Sequence, residues 1–157
     1  MKKLLVITSF AGCILLYACG GGEHKPLTGT DPGAQSERAR KDYDPNRGAG
    51  KFTTVDLGDK LDQAMAASGE KVFGVKCSGC HKLTEEKLVG PGWKGVTERN
   101  KPEWIMNFVT NTAEMIDKDP KVQAQLELCL VRMPNQSLTD DEARQLLEFM
   151  RKNDGVK

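Results

Sequence analysis

The 157-residue chain carries 23 basic and 22 acidic side chains and a formal net charge of +1, so it lacks the basic excess that marks a nucleic-acid-binding protein. Its 38% hydrophobic content suffices for one small domain and a tail, but only 6% of residues are aromatic, which is thin for a core built from side chains alone. Something other than side chains is expected to help fill the centre.

The first segment, MKKLLVITSFAGCILLYACGGG, reads as an export signal: Lys2 and Lys3 form a positive start, and an apolar run follows over residues 4–16. The run falls short of the roughly 20 apolar residues of a comfortable membrane span. Leu16-Tyr17-Ala18-Cys19 resembles the lipobox of bacterial lipoproteins, with Tyr17 bulkier than the usual occupant. The resemblance implies removal of residues 1–18 and lipid on Cys19; an ordinary secretory signal with an incidental cysteine is the alternative. Cys13 falls in the discarded leader. An exported, lipid-anchored protein of the cell envelope facing the periplasm is therefore expected.

Residues 20–51 are rich in glycine, proline and charge and nearly devoid of large apolar side chains, too little to offset ordering entropy. They are expected to form a flexible tether, with residues 19–51 linking the lipid to a domain over 52–157 and His24 a solvated tether residue. Such a linker reaches roughly 30 Å on average.

Periodicity begins after Phe52. Leu61, Met65, Gly69, Val72, Phe73 and Lys76 fall along one helical face that ends at a cysteine motif. Pro102 and Asp119-Pro120 each open a further helix. Thr139-Asp140-Asp141-Glu142 forms a capping box, and Ala143, Leu146, Leu147 and Met150 follow at helical spacing to about Lys152. Strand signals are nearly absent, so an all-α domain with long loops is expected.

The motif at the end of the first helix is Cys77-Ser78-Gly79-Cys80-His81. A redox-active Cys-x-x-Cys normally opens a helix after a strand, where the dipole lowers the thiol pKa, whereas this one closes a helix. A structural zinc needs four ligands, and only Cys129 remains beside Cys77, Cys80 and His81; Cys129 reads more simply as a small buried apolar residue. The remaining chemistry uses all three motif residues: two thiols add across the vinyl groups of one haem c, and the adjacent histidine becomes the proximal iron ligand.

Across about Leu61 to Asn153 the chain resembles the class I c-type cytochromes. Gly69-x-x-x-Phe73-x-x-x-Cys77-Ser78-Gly79-Cys80-His81 is similar to that family's first helix and attachment site. Val89-Gly90-Pro91-Gly92-Trp93-Lys94-Gly95 resembles its Gly-Pro-x-Leu-x-Gly segment, with Trp93 at the usual leucine. The resemblance implies a cytochrome c fold wrapped around one haem. Its first and last helices would cross where Gly69 permits close approach of Leu146, with Phe73 meeting Phe149. It also implies that the Pro91 carbonyl accepts the second ring proton of His81.

The sixth ligand is sought among Met65, Met106, Met115, Met133 and Met150, each of which can also be core. Met133 stands apart in Arg132-Met133-Pro134-Asn135, a helix-breaking loop resembling the family's distal Met-Pro, and Met115 comes next. Trp104 and Arg99 are candidate donors to the haem propionates; a core aromatic and a surface charge are the equal alternatives. An iron with both axial positions filled suits single-electron transfer rather than enzymatic turnover. The expected partners are a respiratory-chain donor, such as a quinol-oxidising complex, and an acceptor such as a terminal oxidase or nitrous-oxide reductase, with the lipid holding the carrier at the membrane. A haem-based ligand sensor is the alternative if Met133 does not bind iron.

Overall fold

The computed structural model describes residues 43–157; the leader, Cys19 and His24 lie outside the described residues. Within them the chain forms six helices and no strand: α1 (Gln63–Lys76), α2 (Val96–Arg99), α3 (Pro102–Thr110), α4 (Thr112–Lys118), α5 (Pro120–Cys129) and α6 (Asp140–Asn153). The capping box at Thr139 is formed in both directions, with Thr139 Oγ1 accepting from Glu142 N and the Glu142 carboxylate accepting from Thr139 N. Acidic residues in the first turn of α6 and Arg151 and Lys152 in its last turn complement the macrodipole. Pro102 and Pro120 occupy first-turn positions of α3 and α5, where the missing N–H costs nothing.

The frame is the crossing of α1 on α6. A Cβ placed on Gly69 would lie 2.0 Å from the Gln145 carbonyl oxygen and 2.9 Å from Phe149 Cβ, so only glycine lets the two backbones meet. The closest neighbour of Gly69 is thus the Gln145 backbone, not Leu146. Phe73 and Phe149 stack with centroids 5.6 Å apart, and Phe73 meets Trp93 edge-on at 4.8 Å. The buried face of α1 is Ala66, Gly69 and Phe73. Met65, expected on that face, is 36% exposed, and Lys76 pairs with Glu142 at 3.0 Å. Gly69 and Phe73 keep their expected inward places, and Met65 gives way to the small Ala66, where the backbones pack closely.

Two expectations are corrected outside that crossing. Met115, the second candidate for the sixth ligand, lies in the helix α4 and has no exposed surface. Residues 43–51, assigned to the tether, pack onto α3, α4 and α5. Asn107 of α3 donates Nδ2–H to the Arg47 and Phe52 carbonyls, both at 2.9 Å, and its Oδ1 accepts from Phe52 N at 2.9 Å. Ala49 N donates to Met115 Sδ at 3.0 Å. Gly50 passes so close to Asn107 that a Cβ would fall 2.2 Å from Oδ1. The glycines that suggested flexibility are here the price of a strap laid tightly on the helices, and the domain extends at least to Tyr43.

Candidate functional site: a cleft between His81 and Met133

The last turn of α1 tightens into the cysteine motif, with the N–H groups of Cys77 and Ser78 both donating to Phe73 O and those of Cys80 and His81 to Cys77 O. This winding buries Cys77 in the core, leaves Cys80 exposed and turns His81 part-way inward. The loop that follows returns to the same turn: Val89 N and Gly90 N both donate to Cys80 O. Pro91 is thereby placed beside the histidine, and His81 Nδ1 lies 2.9 Å from Pro91 O. A carbonyl only accepts, so Nδ1 carries the proton and Nε2 keeps its lone pair. Burial holds the His81 pKa below its ordinary value, partly offset by the Pro91 bond, which favours the neutral imidazole an iron requires.

Two adjoining cavities share His81, Pro91, Phe108, Gln125 and Met133, and so form one cleft. Val122, Leu126 and Cys129 of α5 wall one lobe, which opens past Cys80, Val89 and Val131. Trp93, Trp104, Ile105 and Met150 wall the other, with Arg99 at its rim. The lining is mostly apolar with a few polar groups at its edge, the character of a cofactor site.

The methionines separate clearly. Met133, in the loop between α5 and α6, lines both lobes together with His81. Met115 is committed to the strap through Ala49 N, Met106 is buried in α3, and Met65 is largely outside; Met150 lines only the second lobe. Among the described residues no three His, Cys, Asp or Glu side chains converge as a metal site, which leaves the zinc reading without its ligands. The thiol-redox reading fares no better, since burial pushes the Cys77 thiol up to about 11 and keeps it protonated.

At Trp104 and Arg99 the structure bears on an open choice, and at Cys129 it departs from expectation. Trp104 lines the cleft, but its indole N–H is spent on Asp119 Oδ2 at 2.6 Å and is not free for a propionate. Arg99 is exposed and donates one N–H to Lys94 O at 2.6 Å, which leaves the rest of its guanidinium at the rim. Cys129 is half-buried on the wall of the first lobe rather than in the core. Sequence reasoning did not single out Phe108 or Gln125, whose place on the cleft follows only from how α3 and α5 are set against the His81 loop.

A helical shell around an apolar cleft, with a carbonyl-anchored histidine behind a Cys-x-x-Cys pair, defines a c-type haem-binding domain. The family model described as cytochrome c matches residues 66–154, and the chain belongs to that family. It is similar to the cytochrome c from Rhodothermus marinus, at 31% identity and a TM-score of 0.65 over 79% of this chain and 97% of that one. An engineered Rhodothermus marinus cytochrome c is 32% identical, with a TM-score of 0.67 over 71% of this chain and 98% of that one. A structure of that engineered protein bound to a carbene intermediate gives 32% identity and a TM-score of 0.64 over the same shares. No curated protein matches. Family and fold together imply one covalently attached c-type haem and the role of a haem electron carrier.

Proposed function

We propose that the protein is a membrane-tethered single-electron carrier of the respiratory chain. In this reading Cys77 and Cys80 would hold the haem covalently, and His81 and Met133 would ligate its iron. The observation that carries it is the shared cleft: a histidine with its Nδ1–H anchored on Pro91 and a methionine from the α5–α6 loop line the same two lobes.

Bound there, a c-type haem supplies a one-electron Fe(III)/Fe(II) couple. The chain's residues tune and guard it. The Pro91 carbonyl fixes the His81 tautomer and raises the basicity of Nε2. The Met133 thioether, a soft ligand, would favour Fe(II) and would leave exogenous ligands no open place on the iron. Phe108, Val122, Leu126 and Trp93 line the cleft and would keep water from a bound haem, so that little would have to reorganise when its charge changes. Electrons would pass at the open lobe, where Cys80 is exposed, to and from redox-protein partners, with a terminal oxidase or nitrous-oxide reductase as acceptor.

Among the described residues no helix is long and apolar enough to cross a membrane. Attachment in this reading rests on lipid at Cys19, which mass spectrometry of the mature protein would reveal; an unmodified Cys19 refutes it. Met133→Ala should abolish the sulfur-to-iron charge-transfer band, lower the reduction potential and admit carbon monoxide to the reduced iron. If the variant keeps its band and potential, Met133 is not the ligand, and carbon monoxide binding by the parent protein would favour the sensor reading.

A further inference from the structure

Asp119 has no exposed surface. Its Oδ2 accepts the Trp104 indole N–H at 2.6 Å and the Tyr43 hydroxyl, and its Oδ1 accepts Val122 N at 2.9 Å as the N-cap of α5. All three partners are donors, the pattern of an ionised, acceptor-only carboxylate. No Lys or Arg forms a salt bridge with it among the described residues. Lys121 sits over the Trp104 ring at 5.8 Å, and Arg47 donates to Gly50 O. A buried charge without a counter-ion is costly, and capping does not require it, since a neutral Asn caps a helix as well. The charge needs a further reason, and the position supplies one: the indole bonded to Asp119 forms part of the cleft wall.

We propose that Asp119 is a fixed buried negative charge, set behind Trp104, that lowers the reduction potential of the haem seated in the cleft. This rests on the haem-carrier reading. A negative charge in a low-dielectric interior favours the oxidised form, which carries one more positive charge, and salt screens it weakly. Tyr43, Trp104 and Val122 N hold the carboxylate in place through their three hydrogen bonds. Trp104 is therefore a spacer and positioning residue, not a propionate donor, and Tyr43 makes the strap part of the same cluster.

The test is spectroelectrochemical titration of the full-length, haem-loaded Asp119→Asn protein at low and high salt, together with its thermal melt and its sulfur-to-iron charge-transfer band. Asn retains the cap and one acceptor oxygen but removes the charge. The expected result is a raised potential, about tenfold in the ratio of oxidised to reduced protein at fixed solution potential, or ~59 mV for one electron, with the band retained and the shift nearly independent of salt. An unchanged potential overturns the inference alone. A lowered potential with loss of the band also overturns it, because Asp119 would then merely prop the distal wall. Should Asp119→Asn fail to fold, Tyr43→Phe decides, since it keeps the charge and removes one donor: its potential should stay or fall, and a rise would assign the effect to strap packing instead. A parent protein without a haem spectrum would overturn the carrier reading and this inference with it.

Discussion

Gly90→Ala is a sharp probe of the site because it displaces the His81 ring without changing it chemically. The added Cβ would lie 2.4 Å from His81 Cε1, 2.8 Å from Nδ1 and 3.0 Å from Nε2, where unstrained carbon contacts settle near ~3.5–4.0 Å. The Gly90 backbone is poorly placed to yield, since its own N–H is bonded to Cys80 O at 2.9 Å. The imidazole must then retreat by about 1 Å, which stretches its 2.9 Å bond to Pro91 O beyond hydrogen-bonding range. Loss of that bond costs about 1 kcal/mol and overpacking a further ~1–3 kcal/mol. The expected destabilisation is ~2–4 kcal/mol, equivalent to a fall in Tm of about 10 °C or more for a domain of this size. A weaker Nδ1–H bond also makes Nε2 a poorer donor to Fe(III), so the potential should rise. Thermal melts of the haem-loaded protein and a redox titration read both effects. A Tm within a degree or two of the parent together with an unchanged potential would refute the reasoning.

Glu148, without exposed surface, accepts from Arg144 and Arg151 at 2.6 and 2.7 Å and from Asp62 N at 2.8 Å. Burial pushes its pKa up, but these bonds outweigh it and hold the carboxyl below its ordinary value. A depressed folded pKa contributes stability present above the unfolded value of ~4.3 and lost as pH falls through the folded pKa. Glu148→Gln should therefore cost about 3–5 kcal/mol at pH 7, with the gap to the parent closing below about pH 4; a gap independent of pH in denaturant titrations would contradict this. Deleting residues 20–42 should leave spectrum, potential and Tm unchanged while slowing electron delivery in intact membranes. Extending the deletion through Arg47 should also lower Tm, because Tyr43 and the Arg47 carbonyl are lost from Asp119 and Asn107; equal melts for the two deletions would return those residues to the tether.

Local chemistry determined a good part of this protein without any fold in view. Cys77, Cys80 and His81 are neighbours in sequence, so their joint meaning needs no long-range contact. The starts of α3, α5 and α6 lie in Pro102, Asp119-Pro120 and the Thr139–Glu142 box, and the capping bonds of the last two close within a few residues. What the tertiary structure decided are choices among chemically equal candidates. Met115 and Met133 are alike as side chains; one is held by Ala49 N and the other reaches the cleft with His81. The indole N–H of Trp104 suits a propionate as well as a carboxylate, and the packing of α3 against the start of α5 gives it to Asp119. Composition could not separate a glycine that loosens a tether from one that lets a strap pass where a Cβ would fall 2.2 Å from Asn107 Oδ1. In each case the deciding partner is far away in sequence, and which distant groups meet is set by the joint packing of helices, a property no local stretch contains.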